Sequence, residues 1–138
     1  MFQIKITKRK LDRKLNKLSK RFRAPLPLMR AIAGDMADAV EENFEKEGRP
    51  KWQALNPKTI KMNRKKGKTG KMLQRTGALA SSVNTRYTDN YATAGSNKNY
   101  AKFLQKGTKH MPARSFLKLT GGDIRGITHR IGRYFSGK

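Results

Sequence analysis

The chain contains no cysteine. A disulfide framework, thiolate catalysis and any zinc site built on cysteine are therefore excluded. Histidine occurs only as His110 and His129, and the two do not form a metal-spaced pair. No run approaches the ~20 apolar residues that a bilayer-spanning helix requires, so neither an integral membrane protein nor a membrane partner is expected. The opening Met1-Phe2-Gln3-Ile4-Lys5-Ile6 has neither the apolar stretch nor the small-residue cleavage site of a secretion signal. Expression in a cytoplasm is the expectation. Acids are scarce, with 9 Asp plus Glu against 33 Lys plus Arg, which gives a formal net charge of +24. Hydrophobic residues are also few, at 36%, so the core of this chain must be economical.

What is present is unevenly spread over a length, 138 residues, that suits one domain. Residues 5–23 carry ten basic side chains and one acid, Asp12. A second basic tract holds Lys58, Lys61, Arg64, Lys65, Lys66, Lys68, Lys71 and Arg75 with no acid between them. Six of the nine acids lie together: Asp35, Asp38, Glu41, Glu42, Glu45 and Glu47. Self-repulsion at such a charge disfavours a compact state and attracts polyanions, whether nucleic acid, acidic protein or anionic lipid.

The patterning predicts a short strand at Phe2 to Ile6 and a basic helix from about Lys8 to Phe22, with Leu11, Leu15, Leu18 and Phe22 on one narrow stripe. That strand and helix make a basic N-terminal unit over residues 1–24. Its stripe is too thin for a bilayer interface and suits packing within the protein. The clearest signal is Leu28 to Glu47. There Met29, Ile32, Ala33, Met36, Ala37, Val40 and Phe44 share one helical face, and Asp35, Asp38, Glu42 and Glu45 lie opposite. Gly48 ends that helix, with Pro50 behind it. Residues 49–75 read as irregular or weakly helical, anchored by Trp52 and Leu55, with a mobile basic loop at about 57–75 because Asn63 to Lys71 offers no apolar side chain to bury. Val83 to Tyr87, a turn at Asp89-Asn90, and Tyr91 to Ser96 predict a β-hairpin. A helical turn from Tyr100 to Gln105, an extended piece at Ser115 to Leu119 and a final helix follow. Asp123 is expected to cap that last helix, which carries Ile124, Ile127, Ile131 and Phe135.

The ionisable inventory points away from an enzyme. No nucleophile, base and orienting group come together, and no catalytic, metal-binding or cofactor-binding residue is assigned. Gly67-Lys68-Thr69 resembles the end of a phosphate loop, but that motif needs a glycine where Met62 stands. The tract from Lys58 to Arg75 suits a polyanion-facing surface with non-specific, salt-dependent DNA contact. It lacks the interleaved aromatics of a base-stacking site, since only Trp52 flanks it. A small basic nucleic-acid-binding protein is thus the alternative to a structural role.

Several segments in order carry a resemblance. They are Glu41-Glu42-Asn43-Phe44-Glu45-Lys46-Glu47-Gly48, Pro50-Lys51-Trp52-Gln53-Ala54-Leu55 and Leu73-Gln74-Arg75-Thr76-Gly77-Ala78-Leu79. Gly95-Ser96-Asn97, Tyr100-Ala101, Gln105-Lys106-Gly107 and Pro112-Ala113-Arg114-Ser115-Phe116-Leu117 complete the series. From about residue 28 to the end, this resembles the Mu-like phage virion morphogenesis family, also called the phage tail completion family. It is similar in plan to tailed-phage neck proteins ending in Pro-Ala-Arg-Pro-Phe-Leu, with Ser115 in place of the second proline. The resemblance implies an α+β fold, with long amphipathic helices packed on a small antiparallel sheet and no enzymatic activity. It also implies a part in tail completion and head-to-tail joining, as a ring-forming neck component in the virion after assembly in the host cytoplasm. The partners it implies are further copies of the chain and other phage neck and tail proteins. Asp35, Asp38, Glu42 and Glu45 are the candidate assembly contacts. Arg114 joins them, its planar fork expected to meet a carboxylate on the long helix or on a neighbouring subunit.

Overall fold

The computed structural model describes residues 2–7, 26–67, 72–73 and 77–136. The expected helix from Lys8 to Phe22 lies outside the described residues, as do Lys68, Lys71, Arg75 and the side chain of Phe135. In chain order the elements are β1 (Phe2–Thr7), α1 (Leu26–Glu45), α2 (Pro57–Lys65), α3 (Ala78–Ser81), β2 (Val83–Tyr87), β3 (Tyr91–Ser96), α4 (Ala101–Lys106) and α5 (Gly121–Ser136). Helices and a three-stranded antiparallel sheet of order β1-β3-β2 make this an α+β fold.

The central strand β3 is Tyr-Ala-Thr-Ala-Gly-Ser, and its small side chains let both neighbours and α1 approach closely. The register places Ile4 opposite Ala94 and Ile6 opposite Ala92 on one side, and Val83 opposite Ser96 on the other. Side chains alternate across a strand, so Ile4, Ile6, Ala92, Ala94 and Val83 share the face that packs into the core. α1 lies on that face against β2 and β3. It buries Leu28, Met29, Ile32, Ala33, Met36, Ala39, Val40 and Phe44, at helical spacing.

The end of α1 is fixed by backbone geometry. The helix stops at Glu45, two residues before the expected Glu47, and Glu47 and Gly48 take positive φ values of 53° and 103°. The Gly48 N–H then reaches back to the Asn43 carbonyl at 2.7 Å. A Cβ on Gly48 would sit 2.6 Å from the Trp52 nitrogen, so only glycine fits. This turn lays Trp52 edge-on against Phe44, with ring centroids 6.2 Å apart, and Phe116 packs on Phe44 at 5.5 Å.

The basic tract contains a regular helix. Asn56 caps α2 by accepting the Lys58 N–H at 2.9 Å, Pro57 starts the first turn, and Arg64 and Lys65 occupy the last one, where cations complement the helix dipole. Asn63, expected to have nothing to bury, is buried. Among the described residues Ser115 to Leu119 pairs with no strand, and it bends at Leu117. Gln105 clamps Leu117 instead, donating to its carbonyl at 2.7 Å and accepting its N–H at 2.9 Å. At α5 the expected cap shifts by three residues. Thr120 is the capping residue and Asp123 its reciprocal partner one turn in: Thr120 N–H donates to Asp123 Oδ2 and Asp123 N–H to Thr120 Oγ1. Ile127 and Ile131 are buried as expected, whereas Ile124 is exposed.

Candidate assembly surfaces and the joint between them

The acids of α1, expected to form one outward face, are divided. α5 runs antiparallel to α1 on one flank, and Asp35 receives Arg130 through two bonds, Nε at 2.6 Å and Nη2 at 2.8 Å. The Asp35 hydrogen bond outweighs burial and raises the Arg130 pKa above its ordinary value. Glu42 is also engaged within the chain, by Lys46 at 2.8 Å and Arg49 at 3.2 Å. The Lys46 hydrogen bond and the Arg49 charge lower its carboxyl pKa. Asp38 and Glu45 stay exposed, so of the four acids named from the sequence these two remain on the outer surface.

Arg49 organises the joint beneath. Its Nε donates to Asn43 Oδ1 at 2.8 Å, Nη1 to Asp123 Oδ1 at 3.0 Å, and Nη2 to Asp123 Oδ2 at 2.8 Å and to the Ala39 carbonyl at 2.9 Å. The Arg49 and Asp123 side chains are each only 15% exposed. Burial alone would push the Asp123 carboxyl up. The Arg49 guanidinium and the Thr120 hydrogen bonds outweigh it and hold Asp123 below its ordinary value. Asn43 completes the joint from the buried side, donating to the Phe116 and Lys118 carbonyls at 2.8 and 3.0 Å. One arginine and one asparagine thus tie the end of α1, the Gly48 turn, the 115–119 segment and α5. The sequence reading missed this joint. Its only local signal was a polar residue, Asn43, set between Val40 and Phe44 on the apolar face.

Arg114 is buried and meets no carboxylate among the described residues. Its Nε and Nη2 donate to the Gln53 carbonyl at 3.2 and 3.1 Å, pinning the Trp52–Leu55 strip. That geometry ties Arg114 to the fold of its own subunit.

The cations of α2 are outward. Lys58, Lys61, Arg64 and Lys65 are all exposed along it, as is Lys66 at its C-terminal cap. A second cationic surface, absent from the sequence reading, surrounds α4. Ala101 and Leu104 turn inward there, leaving Tyr100 44% and Phe103 48% exposed among the exposed side chains of Lys98, Lys102, Lys106 and Lys109. Lys102 Nζ lies 5.0 Å from the centre of the Phe103 ring. His110 and His129 are both exposed and lie on different elements, a loop and α5. Among the described residues no three His, Asp or Glu side chains gather as a metal site, and no helix is long and apolar enough to cross a membrane.

Comparison with known proteins adds to this geometry. A family model described as the phage virion morphogenesis family matches residues 6–136. The chain is 40% identical over 116 residues to Mu-like prophage FluMu G protein 2 of Haemophilus influenzae, an alignment covering 79% of this chain and 77% of that one. It is 37% identical over 114 residues to Mu-like prophage FluMu G protein 1 of the same organism, covering 79% and 78%. No solved structure matches the chain.

Proposed function

Because the chain belongs to the phage virion morphogenesis family, its role is in building the phage particle, and we propose that it acts in tail completion and head-to-tail joining as a structural, non-catalytic neck component. The family match across residues 6–136 carries this reading. In it the chain sits at the neck of the virion, after assembly in the host cytoplasm. Its partners are further copies of itself, closed into a ring, and the adjoining neck and tail proteins.

The surfaces support the reading. Asp38 and Glu45 give α1 a negative ridge, while α2 and α4 are positive. A molecule with opposite charges on different faces favours contacts between unlike faces of successive copies, and such contacts close into rings when the rotation closes. Asp35 and Glu42 act within the subunit through Arg130, Lys46 and Arg49. They support the ridge from inside, and Arg114 supports it through the fold. The exposed cations of α2 favour a subsidiary contact, a non-specific one with DNA passing the neck.

Deletion of the gene tests the role. Cells induced for the deleted phage are expected to accumulate filled heads and tails that do not join, visible by electron microscopy, with genome replication and packaging unchanged. Plaque counts recover when the intact gene is supplied. Normal, infectious, joined virions from the deletion would refute the role.

A further inference from the structure

We propose that α4 of one copy docks into a groove beside α1 of the next, with Phe103 as the apolar anchor and Lys102 and Lys106 meeting Glu41 and Glu45. This contact rests on the ring reading above and names the surfaces that would make it.

The groove lies between α1 and the segment joining α3 to β2. Val40, Phe44, Ala80 and Val83 form its floor, and Glu41 and Glu45 stand on its rim. Both glutamates are exposed and have no hydrogen-bond or ion-pair partner among the described residues. They are four residues apart on α1, one helical turn, so their carboxylates stand about 6 Å apart along the axis.

The acid inventory points to this place. The described residues include eight acids. Asp35, Glu42 and Asp123 are ion-paired within the chain, and Glu47 accepts the Met72 N–H at 2.8 Å. Asp38, Glu41, Glu45 and Asp89 remain. Glu41 and Glu45 stand as a pair, one turn apart, over an apolar floor in which Ala80 and Val83 are part-exposed, so a knob both apolar and cationic finds a complement here.

The same chain carries such a knob. Phe103 on α4 and Tyr100 at its N-terminal cap stand three residues apart, both almost half exposed. Lys102 and Lys106 are four residues apart on that helix, the same spacing as Glu41 and Glu45. An aromatic anchor seated in an apolar pocket and ringed by opposite charge is the pattern of an interface hot spot. Groove and knob share no residue, and the contact proposed is the one in which the knob of each copy enters the groove of the next, head to tail. Lys102, which covers the Phe103 ring in the free chain, would move to Glu41 on docking.

A charge exchange tests it with the full chain. One variant carries Glu41→Lys and Glu45→Lys; the other carries Lys102→Glu and Lys106→Glu. In each alone, groove and knob have the same sign. In an equal mixture, every groove of one kind finds a knob of opposite sign on the other. Sedimentation velocity is expected to show large species for the parent chain and for the mixture, and only small ones for either variant alone. Added to an extract of induced cells whose phage lacks the gene, each variant alone should restore at least about tenfold less infectious titre than the parent, and the mixture should recover most of it. A mixture that sediments as its separate chains overturns the contact, whatever the titre. So does either variant assembling as the parent does. If the parent chain assembles but restores no joining, the tail-completion reading falls while the contact stands. If the variants restore full titre, the contact falls and the role stands. Phe103→Asp is a second probe of the same knob: it is expected to remain small in sedimentation, and parent-like assembly of this variant also overturns the contact.

Discussion

Replacing Arg49 by alanine tests whether the polar joint holds the subunit together. The substitution removes five hydrogen bonds from one guanidinium, three of them to carboxylates. Their individual strengths do not add, because the groups act as one network. The cost is set by what is left behind: Asp123 keeps its Thr120 bond but loses its cation, and the Asn43 and Ala39 oxygens lose a donor. Removing one partner of a fully buried ion pair costs ~3–5 kcal/mol. Asp123 is 15% exposed, so water reaches it in part, and about 3 kcal/mol is expected in place of the upper figure. For a chain of this size that lowers Tm by about 10 °C. Urea unfolding of parent, Arg49→Ala, Asp123→Ala and the double variant reads the loss and the coupling, which should exceed ~1 kcal/mol. The pH dependence has a fixed sign. Arg49 holds the folded Asp123 pKa below its ordinary 3.8. The stabilisation is therefore present above that value and is lost as pH falls through the lower, folded value. The gap between parent and Arg49→Ala should be widest near neutral pH and narrow below about 3.8. A loss under ~1 kcal/mol, or one that stays constant down to acid pH, would refute the joint as a stabilising element.

Other expectations are simpler. Asp35→Ala removes a pair whose arginine is about half exposed, so urea unfolding should register no more than ~1 kcal/mol. Gly48→Ala forces a side chain at φ 103° into the Trp52 backbone, and a loss above ~2 kcal/mol is expected together with altered Trp52 fluorescence; parent-like stability would contradict the turn geometry. α2 buries little beyond Asn63, so its amides should exchange with deuterium much faster than those of α1 in the same molecule; equal protection would show that α2 is covered. Changing Lys58, Lys61, Lys65 and Lys66 to Gln should weaken DNA binding uniformly across sequences and reduce the slope of log affinity against log salt by up to ~4, while an unchanged slope would place the contact elsewhere.

The parts legible in the sequence are those fixed by local periodicity. α1 shows because apolar residues from Met29 to Phe44 recur on one helical side, and the hairpin because β2 and β3 alternate around Asp89-Asn90. What was missed depends on distance in the chain. Arg49 reads as a loop cation until Asp123, 74 positions away, is brought beside it. Arg114 invited a carboxylate because guanidinium forks match carboxylates, yet its partner is a main-chain carbonyl 61 positions away, that of Gln53. α2 was obscured by its charge density, although Asn56-Pro57 is a helix start in its own right. On α4 the order Tyr-Ala-Lys-Phe-Leu does not say which apolar residue turns inward. The fold buries Ala101 and half-buries Leu104, leaving both aromatics outside.

The distribution of acids links the subunit's stability to how copies can meet. A chain of +24 has few negative groups to spend. Three of the eight described acids neutralise arginines or a lysine that the fold draws close, and a fourth holds the Met72 backbone. Little negative charge is left for the surface, and most of it stands on α1. Two copies related by a two-fold axis through any basic face would bring like charges together, which costs more as the faces are desolvated. Contact between unlike faces avoids this, because the α1 ridge is the one concentrated acidic area among the described residues. For the assembly proposed above, the scarcity of acids thus favours a head-to-tail arrangement as much as the shape of the groove does. It leaves the cations of α2, which no acid of the described chain engages, available to a second polyanionic partner.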